Sequence, residues 1–205
     1  MQHYPAEGAF GRTLFVFAHG AGAGERHPFM TAYARDLSRQ GIDVVTFNFP
    51  YMDAGRKVPD RAPTLESCFR DVIAHARASL APEGHRLFIG GKSMGGRMAT
   101  HLAADGVEGL AGVIALGYPL HPPGKPEQLR VAHLPRVHVP VLIVQGERDA
   151  FGTPSELEPH AAQIPARTTV HVIEGGDHSL GVRGTAPDRV RARVVDVIRA
   201  WMTSV

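Results

Sequence analysis

Apolar positions along this chain fall into two alternating patterns, short continuous runs and longer segments with helical spacing. The continuous runs are 13–18, 42–47, 86–90, 110–117, 139–145 and 168–173. Runs of this length without polar alternation predict strands buried on both faces. Between them lie segments with apolar residues three and four apart. Residues 28–40 carry Phe29, Met30, Tyr33, Ala34 and Leu37 in that spacing, with Gly41 where a helix cap is expected. A second helix is predicted from residue 63 or 64 to about 80, with Leu65, Cys68, Phe69, Val72, Ile73 and Ala76 on one face. Further helices are expected over 96–104, 156–164 and 186–202, and loops over 48–62 and 118–138. Strands separated by helices predict a mostly parallel sheet of about six or seven strands, covered by helices on both faces. Without a linker or composition shift, residues 1–205 read as one domain.

One junction between run and helix carries chemistry. Gly91-Lys92-Ser93-Met94-Gly95 stands directly after the third strand and before a helical segment. A G-x-S-x-G in that setting is a nucleophile elbow: a sharp strand-to-helix turn that lifts the serine hydroxyl clear of the sheet. The flanking residues must be glycine because a Cβ there would collide with the neighbouring strand or helix. Composition alone supplies such a pattern in roughly one chain in ten of this make-up, so the flanking strand and helix decide the reading.

A serine hydroxyl needs a histidine to take its proton and a carboxylate to orient that histidine. Two later strand ends supply both. The run ending at Gln145 breaks into a loop carrying Glu147 and Asp149, and the run ending at Ile173 leads through a glycine pair to Asp177 and His178. Asp149 is the expected acid, with Glu147 as its competitor, and Asp177 is expected to stabilise its own loop. Backbone donors for an oxyanion are expected at Met94, directly after the serine, and at Ala21 in the glycine-rich loop after the first strand. Gly20 and Gly22 are alternatives to Ala21; a phosphate cradle is disfavoured because no G-K-[ST] ending follows.

Composition narrows the partners. The net charge of +2 is small and Lys and Arg form no dense block, so neither nucleic acid nor a membrane surface is expected. Lys92, Arg97 and Lys125 read as solvated surface charge, with an anionic substrate as the alternative. The single Cys68 excludes an internal disulfide, sits on an apolar helix face as a core residue, and suits a reducing compartment. With no early apolar run longer than 14–18, a cytoplasmic location is expected. No metal-binding spacing stands out among the twelve histidines, and the chemistry requires no cofactor.

These blocks resemble the α/β-hydrolase superfamily. More narrowly, His19-Gly20-Ala21-Gly22, Gly90 to Arg97, Tyr118-Pro119-Leu120-His121-Pro122-Pro123, Gln145 to Asp149 and Gly175 to His178 resemble a small family. It includes the testis-expressed α/β-hydrolase-like protein and the hydrolase-like subunit of a histone-acetylation complex. The resemblance implies an α/β-hydrolase fold related to dienelactone hydrolase, with no separate lid domain and with serine in place of cysteine at the elbow. The expected function is a serine hydrolase acting on esters or related small acyl compounds. A thioesterase or acyltransferase, and a hydrolase-like scaffold that binds a partner protein without catalysis, are the alternatives.

Overall fold

The computed structural model describes residues 1–8, 12–80 and 84–205. Its centre is a seven-stranded sheet formed by β1 (Gln2–Tyr4), β2 (Thr13–Ala18), β3 (Asp43–Phe47), β4 (Arg86–Lys92), β5 (Leu110–Leu116), β6 (Val141–Gly146) and β7 (Thr168–Ile173). The strand order is β1-β3-β2-β4-β5-β6-β7, with only β1 antiparallel to its neighbour. Chain direction across the sheet therefore reverses at β2, which lies between β3 and β4. Loops leaving the carboxyl ends of β2 and β4 diverge there and open a crevice.

Side chains of a strand alternate between faces, and β2 shows the consequence. Leu14, Val16 and Ala18 join a core layer beneath α3 (Ala62–Leu80), α4 (Met94–Ala104) and α5 (Pro154–Ala161). Phe15 and Phe17 join the opposite layer, with Met30 and Leu37 of α1 (Pro28–Arg39) and Val194, Ile198 and Trp201 of α6 (Pro187–Ser204). Because both faces are covered, β2 has no polar stripe. Each fully buried side chain of this kind contributes about 1.5–3 kcal/mol to folding. Among the described residues no helix is long and apolar enough to cross a membrane.

The structure departs from the sequence pattern in several places. β1 pairs with β3 through Gln2, His3 and Tyr4, an edge strand without an apolar run. Loop 48–62 contains a one-turn helix, α2 (Pro50–Asp53), and loop 118–138 contains a 3-10 turn at Leu134–Arg136. The fifth predicted strand starts at Val141 instead of residue 139, since Pro140 has no N–H to give the ladder. Finally, α4 starts at Met94, so Gly95 and Gly96 belong to the helix. Their missing side chains allow close packing: a Cβ on Gly95 would lie 2.4 Å from the Ala18 carbonyl oxygen of β2.

Candidate active site

Ser93 stands between β4 and α4 with φ +50° and ψ −114°, a conformation that side-chain-bearing residues rarely adopt. Such strain persists only where surrounding structure holds it. Here the Ser93 N–H donates to the Leu116 carbonyl of β5, and the Ser93 carbonyl accepts from the Arg97 N–H. Gly91 completes the restraint, since a Cβ on it would come within 2.5 Å of the Ala18 carbonyl and of Gly95. The glycines of the motif are thus required by close approach of three elements.

The three expected side chains meet. His178 Nε2 lies 2.9 Å from Ser93 Oγ, and its Nδ1 lies 2.9 and 2.8 Å from the two Asp149 oxygens. An ionised carboxylate can only accept, so the proton sits on Nδ1 and Nε2 is free to accept from the serine hydroxyl. Asp149 is 2% exposed and is held by further donors, the Phe151 N–H at 2.8 Å and the Gln145 side-chain amide at 2.9 Å. Gln145 is fully buried; its amide also donates to the carbonyls of Tyr118 and Gly152, and its oxygen accepts from the Tyr118 N–H. The ring of Phe151 stacks on His178 with centroids 4.1 Å apart. Glu147, the competing acid, instead accepts from the Gly175 N–H at 2.7 Å. Asp177 accepts from Ser179 and Gly181, bracing the loop on which it stands.

The loop after β2 approaches the same point. His19 is fully buried, with Nδ1 2.8 Å from the Gly20 carbonyl and Nε2 3.1 Å from the Phe49 N–H. A carbonyl accepts and an N–H donates, so the ring is neutral with its proton on Nδ1. Burial pushes its pKa below the usual histidine range, in the same sense. Because the Gly20–Ala21 peptide is planar and trans, fixing the Gly20 carbonyl on His19 turns the Ala21 N–H away from that ring. Ala21 lines the cavity in front of Ser93. Met94 lies in the first turn of α4, where backbone N–H groups have no partner within the helix.

That cavity has a volume of about 540 Å³. Loop 48–62 contributes Pro59, Asp60 and Ala62, and loop 118–138 contributes Pro119 and Arg130. The start of α1 adds His27, Phe29 and Met30; the sequence pattern placed Phe29 and Met30 on an apolar helix face and none of the three at the site. The reading of Lys92 and Arg97 as solvated surface charge is corrected here. Both line the cavity, Lys92 is only 9% exposed, and Lys125 alone is exposed. Lys92 ended in the interior because it is the last residue of β4, a strand buried on both faces. Its ammonium donates to the His178 carbonyl, and burial lowers its pKa to about 8. Cys68 does not line the cavity, and burial raises its thiol pKa. Among the described residues no group of three or more His, Cys, Asp or Glu could hold a metal ion.

Comparison with known proteins places the fold. The chain is similar in structure to a dienelactone hydrolase from Anabaena variabilis, with 20% identity and TM-score 0.75, over 98% of this chain and 88% of that one. It is also similar to a lidless α/β serine hydrolase from Xanthomonas campestris, with 19% identity and TM-score 0.72, over 98% and 85%. The esterase domain of a Rhodothermus marinus protein matches at 15% identity and TM-score 0.72, over 97% and 90%. At these identities the likeness speaks to the fold. The family model described as the alpha/beta hydrolase domain matches residues 11–203. The chain therefore belongs to the α/β-hydrolase family, and its described residues form no separate lid.

Proposed function

We propose that this protein is a serine hydrolase that cleaves carboxylic esters or related small acyl compounds. The observation that carries the reading is the hydrogen-bonded row Ser93–His178–Asp149 facing a 540 Å³ cavity. In this mechanism Ser93 Oγ attacks the acyl carbon while His178 Nε2 takes its proton. Asp149 holds the correct tautomer and stabilises the imidazolium that forms. The amides of Met94 and Ala21 receive the negative charge that develops on the carbonyl oxygen. Collapse of the tetrahedral species breaks the bond to the leaving alcohol, which departs with the proton from His178. Water, deprotonated by the same histidine, then attacks the acyl-enzyme and releases the acid and Ser93.

A thioester fits the same steps, with a thiol as leaving group. The free Cys68 is consistent with work in a reducing cytoplasm. A panel of p-nitrophenyl esters graded by acyl length tests the reading. Short acyl chains should be turned over by the native protein and not by Ser93→Ala. Equal rates in the two proteins would sink it.

A further inference from the structure

Two guanidinium groups in the cavity have no ion-pair partner among the described residues. Arg97 and Arg130 both line it, and no carboxylate lies within ion-pair distance of either among the described residues. Arg97 Nε is buried without a hydrogen-bond partner. The Arg130 side chain has one long contact, 3.5 Å to the Pro119 carbonyl. Glu66 pairs with His101 at 2.8 Å, and Asp60, the one carboxylate among the described residues lining the cavity, pairs with Arg56 at 2.7 Å through Oδ1, its Oδ2 being buried without a hydrogen-bond partner. With Lys92, the described residues of the cavity lining include three Lys and Arg side chains against that single acid.

Such an arrangement is costly in the empty protein. Arginine cannot shed its proton, so the buried Arg97 Nε keeps the penalty of an unpaired donor, while the rest of both half-buried guanidinium groups faces the cavity. Burial and then the proximity of Arg130 push the Arg97 pKa down, against a smaller upward pull from Tyr118 and Glu66. Arg97 lies four residues after Ser93 on the same face of the elbow helix, and its N–H donates to the Ser93 carbonyl. An anion drawn to the two arginines would give Arg97 Nε the partner it lacks and lie within one helical turn of the nucleophile.

We propose that Arg97 and Arg130 form an anion subsite, and that the substrate is an ester carrying an oxyanion, a carboxylate or a phosphate, at one end. The proposal rests on the serine-hydrolase reading above and names its substrate class. Bidentate guanidinium contacts match the geometry of both oxyanions.

The test compares phenyl hydrogen glutarate with phenyl pentanoate, which have equal acyl length and differ in the terminal carboxylate. The native enzyme should prefer the anionic ester by at least about tenfold in kcat/KM, as one charge-assisted contact implies. The ratio of the two kcat/KM values should fall about tenfold or more in Arg97→Gln and in Arg130→Gln. Arg130 is half-buried, so its variant carries the test if Arg97→Gln does not fold. Independently of turnover, glutarate or inorganic phosphate should slow labelling of Ser93 by a neutral fluorophosphonate, while glutaramide should not. Protection by glutarate alone assigns the site to carboxylates; protection by phosphate alone assigns it to phosphoryl groups. A preference for the neutral ester, or a ratio unchanged in both variants, would overturn the subsite while labelling shows the nucleophile intact. Folded protein that takes no label overturns the underlying hydrolase reading instead.

Discussion

Lys92 donates its buried ammonium to the backbone carbonyl of His178, so the residue beside Ser93 also grips the loop that delivers the histidine. The bond joins the end of β4 to a segment 86 residues later in the chain. Lys92→Met should remove this grip while leaving the cavity wall apolar. For a neutral ester we expect kcat to fall about tenfold with little change in KM, as for loss of one charged hydrogen bond. Relieved of a buried charge, the variant should lose little thermal stability. A change confined to KM would show that Lys92 contacts substrate and does not position His178.

Asp149 and Glu147 stand two residues apart and should behave differently. Asp149→Asn should lower kcat by about four orders of magnitude, because an amide donor opposite Nδ1 imposes the wrong tautomer on His178. Glu147→Gln should leave kcat within about twofold, since Glu147 only ties the Gly175 N–H in place. Steady-state kinetics on one ester separates the two.

Replacement of Gly95 by alanine should destabilise the fold as well as the site. Its Cβ would meet backbone, the Ala18 carbonyl at 2.4 Å, which no side-chain rotation can relieve. Overpacking of this kind costs about 1–3 kcal/mol, equivalent to several degrees in Tm for a chain of this size. Thermal denaturation of Gly95→Ala checks this, and an unchanged Tm would contradict the packing described.

Acid should weaken the protein through its buried histidines. Burial, with His101, Arg97 and Arg136 nearby, holds the His133 pKa at about 3, against 6.5 for the free side chain. Below pH 6.5 the unfolded chain takes up a proton that the fold refuses. Stability is therefore complete above pH 6.5 and is lost as pH falls toward 3. His19 is shifted in the same direction and adds to the loss. His133 is the donor to Thr100 Oγ1, whose own proton goes to the Arg97 carbonyl. His133→Gln retains a donor but cannot titrate, so Tm should fall less steeply between pH 7 and pH 4 in that variant.

Much of this molecule was legible before its structure because the relevant signals are local. The elbow glycines, the strand ends before Asp149 and His178, and the unbroken apolar runs each lie within a few residues of what they predict. The features that escaped depend on distance along the chain. Gln145 steadies Asp149 through an amide that also reaches Tyr118, and Phe151 covers His178 across 27 positions. The edge strand at Gln2–Tyr4 has no apolar pattern of its own and is defined only by its partner β3. Lys92 and Arg97 look like surface charges by residue type, and only the packing of β4 and α4 turns them inward.

The central claim is that Ser93 is a nucleophile activated by His178. Intact-mass spectrometry after exposure to a neutral fluorophosphonate measures this most directly. One adduct per chain is expected, located on the Ser93 peptide, absent in Ser93→Ala and formed far more slowly in His178→Ala. Folded protein that takes up no label, or label that persists in Ser93→Ala, would contradict it.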